Sequence, residues 1–305
     1  MTNKFFNNKY FVILIHKDID GDCIGSSIAT KAMIESSGGQ ADIVSSEPVP
    51  ENYKWLGTEF INKFPETYDS VIVLDTPVID RINMPLPKEK QILVIDHHPT
   101  DVLYGDFNII DTDSPSTGAI LETLRLNMNL PITTKYANAI LVSIISDTRG
   151  YATVNTDKIS FDLTSAMIDA GADFRKAYDM EFNSRTPAFL HFVGWALSNI
   201  EYSEDNKIAG FTVPSSITDN IKKENIQPGE IMVYTMMVPT VEFGYALYEK
   251  PDSMVSGSLR SRTLSVNKIA ETLGGGGHDK AAGFRRKGTL QEVKDKMLIE
   301  LIKNL

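Results

Sequence analysis

Acids and imidazoles recur in this chain directly after apolar runs. YFVILI, Tyr10 to Ile15, is followed by HKDIDGD, which holds His16, Asp18, Asp20 and Asp22. SVIVL, Ser70 to Leu74, is followed by Asp75, and QILVI, Gln91 to Ile95, by Asp96, His97 and His98. Asp147 follows Thr133 to Ile145 in SIISDTRGY. Each has an ordinary explanation on its own: an Asp after a strand is most often a turn or N-cap residue, and Asp22 could cap the helix behind it. Together those explanations are strained. Clustered carboxylates raise one another's pKa unless a cation neutralises them, and three of the five histidines fall in these segments. Carboxylate mixed with neutral imidazole suits Mn²⁺, and also Zn²⁺ or Co²⁺. Several acids sharing two ions is the arrangement of two-metal phosphoester hydrolysis, with the ions about 3.5–4 Å apart. Gly21 lets the chain turn sharply and aim Asp20 and Asp22 at different ions. Asp75, at a central strand end, is placed to bridge them, and a water between the ions would be the nucleophile.

These residues need a scaffold that brings strand ends together. Strand-like and helix-like segments alternate through the first half, with strands at Tyr10 to Ile15, Ala41 to Ser45, Ser70 to Leu74 and Gln91 to Ile95. Helices are expected at Gly21 to Ser37, Ser116 to Leu126, Thr133 to Ile145, Asp157 to Ala170, Asp173 to Phe182 and Pro187 to Ile200. Near-continuous β-branched runs suit a parallel sheet covered on both faces. The alternation predicts an α/β, doubly wound, mainly parallel sheet, whose ligands collect beyond the carboxyl ends of the strands. After Ile200 the pattern changes. Lys207 to Val213, Glu230 to Pro239, Glu242 to Lys250, Met254 to Arg260 and Ala282 to Lys287 read as strands, with a turn at EKPDS. Ser265 to Leu273 and Leu290 to Leu305 read as helices. This is a smaller α+β domain with a mixed sheet. The expected organisation is a first domain over residues 1–190, a helical linker over 191–206 and a second domain over 207–305, with the active site in the cleft between them.

Composition narrows the functional classes. The 305 residues carry a net charge of −10, which argues against coating long nucleic acid through a basic face. Cys23 is the single cysteine, so no intrachain disulfide forms and a reducing cytoplasm is the expected compartment. The N-terminal apolar run is too short for a signal-peptide core, and no run approaches the roughly 18 apolar residues of a membrane span.

HKDIDGD, VIVLDTP, IDHHPT and SIISDTRGY resemble the four motifs of the DHH phosphoesterases. GGGGHDKAAGF, near the end, resembles the signature of the DHH-associated domain that accompanies them. The resemblance runs from His16 to Phe284 in the expected order, and is greatest to the compact bacterial members that degrade short oligoribonucleotides (nanoRNases). Many of these also remove the 3′-phosphate from 3′-phosphoadenosine 5′-phosphate. It implies His16, Asp20 and Asp75 as ligands of one ion, and Asp22, Asp75, His97 and Asp147 as ligands of the other, with two Mn²⁺ ions favoured. It implies His98 as a catalytic histidine facing the scissile phosphate, and Asp96 as a residue that orients a ligand through a hydrogen bond. One departure is Ile19, where the family usually has Pro before Asp-Gly-Asp.

The second domain offers cations and bare backbone. Arg260 and Arg262 sit at a strand end, and guanidinium forks match phosphate oxygens. Gly274 to Gly277 offer unhindered N–H groups beside His278 and Lys280. Taken alone, the arginines would be a surface pair and the glycines a flexible loop. By resemblance Arg260, Arg262, Gly275, Gly276, Gly277 and His278 bind the terminal phosphate and base end of a nucleotide. Ser114, Ser116 and Thr117 are placed to line the same cleft, with an N-cap role for one of them an equal reading.

The implied function is metal-dependent hydrolysis of short RNA oligonucleotides to nucleoside monophosphates, with 3′-phosphoadenosine 5′-phosphate as a second substrate. A phosphodiesterase for cyclic di-AMP or its linear product is an alternative that no residue excludes. An inorganic pyrophosphatase shares the first-domain pattern, but GGGGHDKAAGF speaks against it. A catalytically inactive nucleotide sensor is a reading of another class, opposed by the complete ligand set. The expected partners are short RNA or small phosphorylated nucleotides, with no membrane and no long duplex. Nothing in the sequence decides between monomer and homodimer.

Overall fold

Runs of Val, Ile and Leu without polar interruption need burial on both sides, and three of them form the centre of the first sheet. The computed structural model describes residues 6, 9–218, 226, 228–250 and 253–305, apart from the side chain of His278. The chain divides into two compact units, Met1–Ser184 and Arg185–Leu305.

The first unit runs β1 (Tyr10–Leu14), α1 (Gly21–Ser36), β2 (Gln40–Val44), β3 (Ser70–Leu74), β4 (Gln91–Asp96) and β5 (Phe107–Ile110). It continues with α2 (Thr117–Asn127), α3 (Thr134–Asp147), α4 (Lys158–Asp169), α5 (Phe174–Tyr178) and a π turn at Asp179–Asn183. The sheet is parallel in the order β2-β1-β3-β4-β5. Alternate residues split between two faces. Phe11, Ile13, Ile72, Leu74, Leu93 and Ile95 share a core with residues of α1, α2 and α3. Val12, Leu14, Val71, Val73 and Val94 face Phe64, Tyr68, Met84, Leu86 and Tyr104, which loops supply. The edge strand β5 escaped the sequence reading because it is only four residues long and has no fully buried position.

Glycine lets the helices approach closely. A Cβ on Gly25 of α1 would lie 2.4 Å from the Ala139 carbonyl oxygen of α3, and one on Gly118 of α2 would lie 2.2 Å from Ser143 Oγ. Backbone proximity of this kind excludes any side chain. It brings the start of α1 against α3 and the start of α2.

The second unit opens with α6 (Pro187–Ser198) and holds a mixed sheet of β6 (Glu201–Tyr202), β7 (Ile208–Val213), β8 (Phe243–Lys250), β9 (Met254–Ser261), β10 (Gly276–His278) and β11 (Ala281–Lys287). Its order is β10-β11-β9-β8-β7-β6, with β7 and β8 parallel and the other pairs antiparallel. One face packs on the helix Leu290–Lys303, the other on α6 and a helix at Pro228–Thr235. That last helix corrects the strand expected over Glu230 to Pro239. Pro228, Ile231, Met232 and Thr235 are its buried residues, a spacing of three, one and three that matches a helix rather than a strand. The β-forming Val233 and Tyr234 suggested a strand, and tertiary burial outweighs that preference. Of the expected turn at EKPDS, Pro251 and Asp252 lie outside the described residues.

Candidate metal centre

In a parallel sheet of this order, strand β1 lies between β2 and β3, so the connections diverge at the β1/β3 boundary, where ligand sites form. His16 follows β1 and Asp75 follows β3. Asp96 is the last residue of β4 rather than the first beyond it, and His97 and His98 follow. Asp147 is likewise the last residue of α3, not part of a turn after it. Asp75 has φ +53°, a left-handed conformation costly for most side chains but tolerated by Asp. Its N–H donates to the Ile95 carbonyl at 3.0 Å.

The structure brings the six expected ligands into two overlapping groups. His16 Nε2 lies 3.3 Å from Asp75 Oδ2 and 3.6 Å from Asp20 Oδ1. His97 Nε2 lies 3.3 Å from Asp147 Oδ2, 3.7 Å from Asp22 Oδ2 and 3.8 Å from Asp75 Oδ1. Asp75 thus turns one oxygen to each group. The sets His16, Asp20, Asp75 and Asp22, His97, Asp147 each have ligand atoms within 4.8 Å of one another, as does Asp75, His97, His98.

Hydrogen bonding fixes the imidazole tautomers. His16 Nδ1 is 2.6 Å from the Lys17 carbonyl, and His97 Nδ1 is 3.1 Å from the Ser114 carbonyl. A carbonyl accepts only, so both Nδ1 atoms carry the proton, and each Nε2 faces the acids. Among the described residues His97 Nε2 has no hydrogen-bond partner, and it is buried. A buried, unpaired acceptor surrounded by carboxylate oxygens is unfavourable unless a cation joins them. The residues therefore fit a divalent metal.

Electrostatics say the same. Burial, then the charges of Asp75 and Asp147, push Asp22 well above the usual carboxylate range. Burial, then Asp75 and Asp20, push Asp147 up to about 7. Burial alone would raise Asp75, but hydrogen bonds with His16 and His98 hold it below its ordinary value. Burial lowers the pKa of His98, yet Asp75 and Asp96 more than offset this and raise it to about 10. In the metal-free chain, protons do the neutralising that a cation would do.

Several supporting groups were not legible in the sequence. Asp22 accepts from the N–H groups of Thr117 at 2.8 Å and Gly118 at 3.2 Å, at the N-terminus of α2, and from Ser143 Oγ at 2.5 Å. Thr117 Oγ1 donates to Asp75 at 3.2 Å, and Asn155 Nδ2 to Asp147 at 3.2 Å. Asp96 Oδ1 lies 2.9 Å from both the backbone nitrogen and ring Nδ1 of His98, so its partner is His98. Asp20, not Asp22, caps α1, accepting from Cys23 N–H at 3.0 Å. Gly21 has no left-handed φ. It is required instead because a Cβ there would lie 2.4 Å from Ser146 Cβ.

Ser116 takes the N-cap role that was the equal reading for one of Ser114, Ser116 and Thr117. It is fully buried, caps α2 by accepting from Ala119 N–H, and hydrogen-bonds Ser143 Oγ at 2.8 Å, giving its own proton because Asp22 takes that of Ser143. In the second unit, Arg262 donates to the carbonyls of Val241, Met236 and Val238 at 3.1, 2.7 and 3.2 Å. Arg260 Nη1 donates to its neighbour's carbonyl at Leu259. The glycine run is not a loop throughout. Gly274 and Gly275 give their N–H groups to Glu271 and Ala270, ending the preceding helix, and Gly276 and Gly277 pair with Gly283 and Ala282. A Cβ on Gly275 would lie 2.1 Å from the Gly283 carbonyl. Gly274 and Gly275 do border an open cavity of about 350 Å³, together with Ser256, Ser258, Gly283 and Arg285. Lys280 Nζ bonds the carbonyls of Thr263 and Leu264. The His278 side chain lies outside the described residues.

Comparison with known proteins agrees with this architecture. The DHH family N-terminal domain matches residues 10–144, and the DHHA1 domain matches residues 215–305. A Streptococcus mutans protein named probable bifunctional oligoribonuclease and PAP phosphatase NrnA is 24% identical over 304 residues, covering 97% of this chain and 95% of that protein. The Thermus thermophilus bifunctional oligoribonuclease and PAP phosphatase NrnA is 25% identical over 282 residues, covering 90% and 84%. The crystal structure of an exopolyphosphatase-related protein from Bacteroides fragilis has the same fold, with a TM-score of 0.86 at 22% identity, covering 98% and 94%.

Proposed function

Because this chain belongs to the DHH family and carries a DHHA1 domain, it is a phosphoester hydrolase, and we propose that it degrades short oligoribonucleotides to nucleoside monophosphates. We include 3′-phosphoadenosine 5′-phosphate among its substrates, following the names of its relatives. The observation that carries the reading is His97 Nε2, buried, unpartnered among the described residues and faced by three carboxylates.

Two divalent cations, Mn²⁺ by the mixed donor set, would be held by His16, Asp20 and Asp75, and by Asp22, Asp75, His97 and Asp147. When bound, they neutralise the carboxylates, stabilise charge building on the phosphoryl oxygens and lower the pKa of a water. The chain's own residues do the rest. Asp75 spaces the two groups by offering one oxygen to each. The α2 N-terminus orients Asp22, whose two oxygens accept from the Thr117 and Gly118 N–H groups. His98 is partly exposed and fixed by Asp96. In the metal-free chain, despite burial, Asp75 and Asp96 raise its pKa to about 10, and in our reading it meets the phosphoryl group as a hydrogen-bond donor. In the second unit, Arg260 and the glycine-bordered cavity are the proposed contacts for the rest of the nucleotide, with no such role for Ser116.

A substrate panel with Mn²⁺ tests this. It compares a five-nucleotide RNA, a dinucleotide, 3′-phosphoadenosine 5′-phosphate, cyclic di-AMP and pyrophosphate. Turnover of the first three, with release of mononucleotides from RNA, is expected. Selective turnover of cyclic di-AMP would replace the reading.

A further inference from the structure

Glu181 belongs to none of the motifs, yet it ends a chain of hydrogen bonds that begins at the metal-binding turn. The Gly21 N–H donates to Ser146 Oγ at 3.1 Å, and Ser146 Oγ donates to Glu181 Oε1 at 3.1 Å. Tyr53, from a short helix at Glu51–Leu56, donates its hydroxyl to Glu181 Oε2 at 2.7 Å. The polarity is forced. A serine hydroxyl has one proton, and here a carboxylate takes it, so the oxygen must accept from Gly21.

The placement is tight. A Cβ on Gly21 would lie 2.4 Å from Ser146 Cβ and 3.0 Å from Glu181 Oε2. Gly21 separates Asp20 from Asp22, and Ser146 precedes Asp147. Asp20 therefore comes from one proposed ligand group, and Asp22 and Asp147 from the other. Glu181 itself lies in the π turn Asp179–Asn183, a local departure from α geometry that often marks functional sites.

We infer that Glu181 is a positioning residue for hydrolysis: through Ser146 it clamps the Asp20-Gly21-Asp22 turn against the end of α3 and so registers the ligands of both ions. It acts without touching either ion. The inference rests on the assignment of Asp20, Asp22 and Asp147 as ligands.

The test is titration of Mn²⁺ into the full-length wild type, Glu181→Ala, Glu181→Gln and Ser146→Ala, with kcat and KM measured on an RNA dinucleotide. Glu181→Ala should lower Mn²⁺ affinity and kcat by about 10–100-fold, the effect typical of groups that orient ligands, with KM within about twofold. Glu181→Gln keeps an acceptor for Ser146 and should return both to within about threefold of wild type. Ser146→Ala should reproduce the loss, and it carries the test if Glu181→Ala does not fold. Wild-type Mn²⁺ affinity in a folded Glu181→Ala or in Ser146→Ala overturns the inference. So does a Glu181→Gln protein as weak as Glu181→Ala. A wild type that binds no Mn²⁺ sinks the ligand assignment itself, and this inference with it.

Discussion

The acids of the first unit and the arginine and glycines of the second were singled out on the same kind of evidence, but the structure treats them differently. Among the described residues His97 Nε2 is buried without a hydrogen-bond partner, and Asp22 and Asp147 sit at raised pKa. That arrangement suits a cation. Arg262, by contrast, already donates to three carbonyls of its own unit, and Gly274 and Gly275 have given their N–H groups to a helix end. Residues kept for a ligand leave their bonding unfinished, whereas residues kept for the fold complete it. A residue type alone does not separate the two cases.

Substitutions can break this contrast. The largest effect is expected at Asp75→Asn. It removes the charge that both groups share, so turnover should fall by more than the roughly 100-fold typical of residues that merely orient ligands, with the far-UV CD spectrum unchanged. Near-native turnover would end the shared-carboxylate role.

Acid should act next. Asp147 titrates at about 7 in the metal-free chain, raised by burial and by Asp75 and Asp20. Below that pH a proton occupies the place of the cation, so metal affinity should rise with pH, by about tenfold per unit below 7 for each proton displaced. Calorimetry in buffers of different ionisation enthalpy should record proton release on Mn²⁺ binding. An affinity flat from pH 5.5 to 7.5 would contradict the raised value.

Arg262→Ala sharpens the contrast from the other side. Losing a donor to three carbonyls should destabilise the protein by about 1–3 kcal/mol, read as a lower melting temperature. A raised KM with unchanged melting would restore Arg262 to substrate binding. Ser116→Ala should have the smallest effect. It removes an N-cap, worth about 1 kcal/mol, and should leave KM alone.

Most of the sheet was legible because its strands are buried on both faces. VIVL and ILVI, residues 71–74 and 92–95, have no polar position to confuse their reading, and they form most of β3 and β4. β5 was invisible because FNII sits at an edge with its residues partly or fully exposed. The helix Pro228–Thr235 was misread because its apolar side chains favour strands locally, while its period is set by the sheet it covers. In the site, acids and imidazoles announced themselves by following strands. Ser143, Ser146, Asn155 and Glu181 did not. They are ordinary polar residues whose meaning comes only from the backbone and carboxylates that folding places beside them. Gly21 was noticed for the wrong reason, since close approach to Ser146 and not a special φ demands it.

The central claim is that two divalent cations share Asp75. The most direct measurement is the Mn²⁺ stoichiometry of the chelator-stripped protein by calorimetry, with metal content checked by elemental analysis. The account predicts two ions per chain in the wild type, with Asp75→Asn losing affinity for both. A single ion in the wild type, or two ions bound by Asp75→Asn as tightly as before, would contradict it.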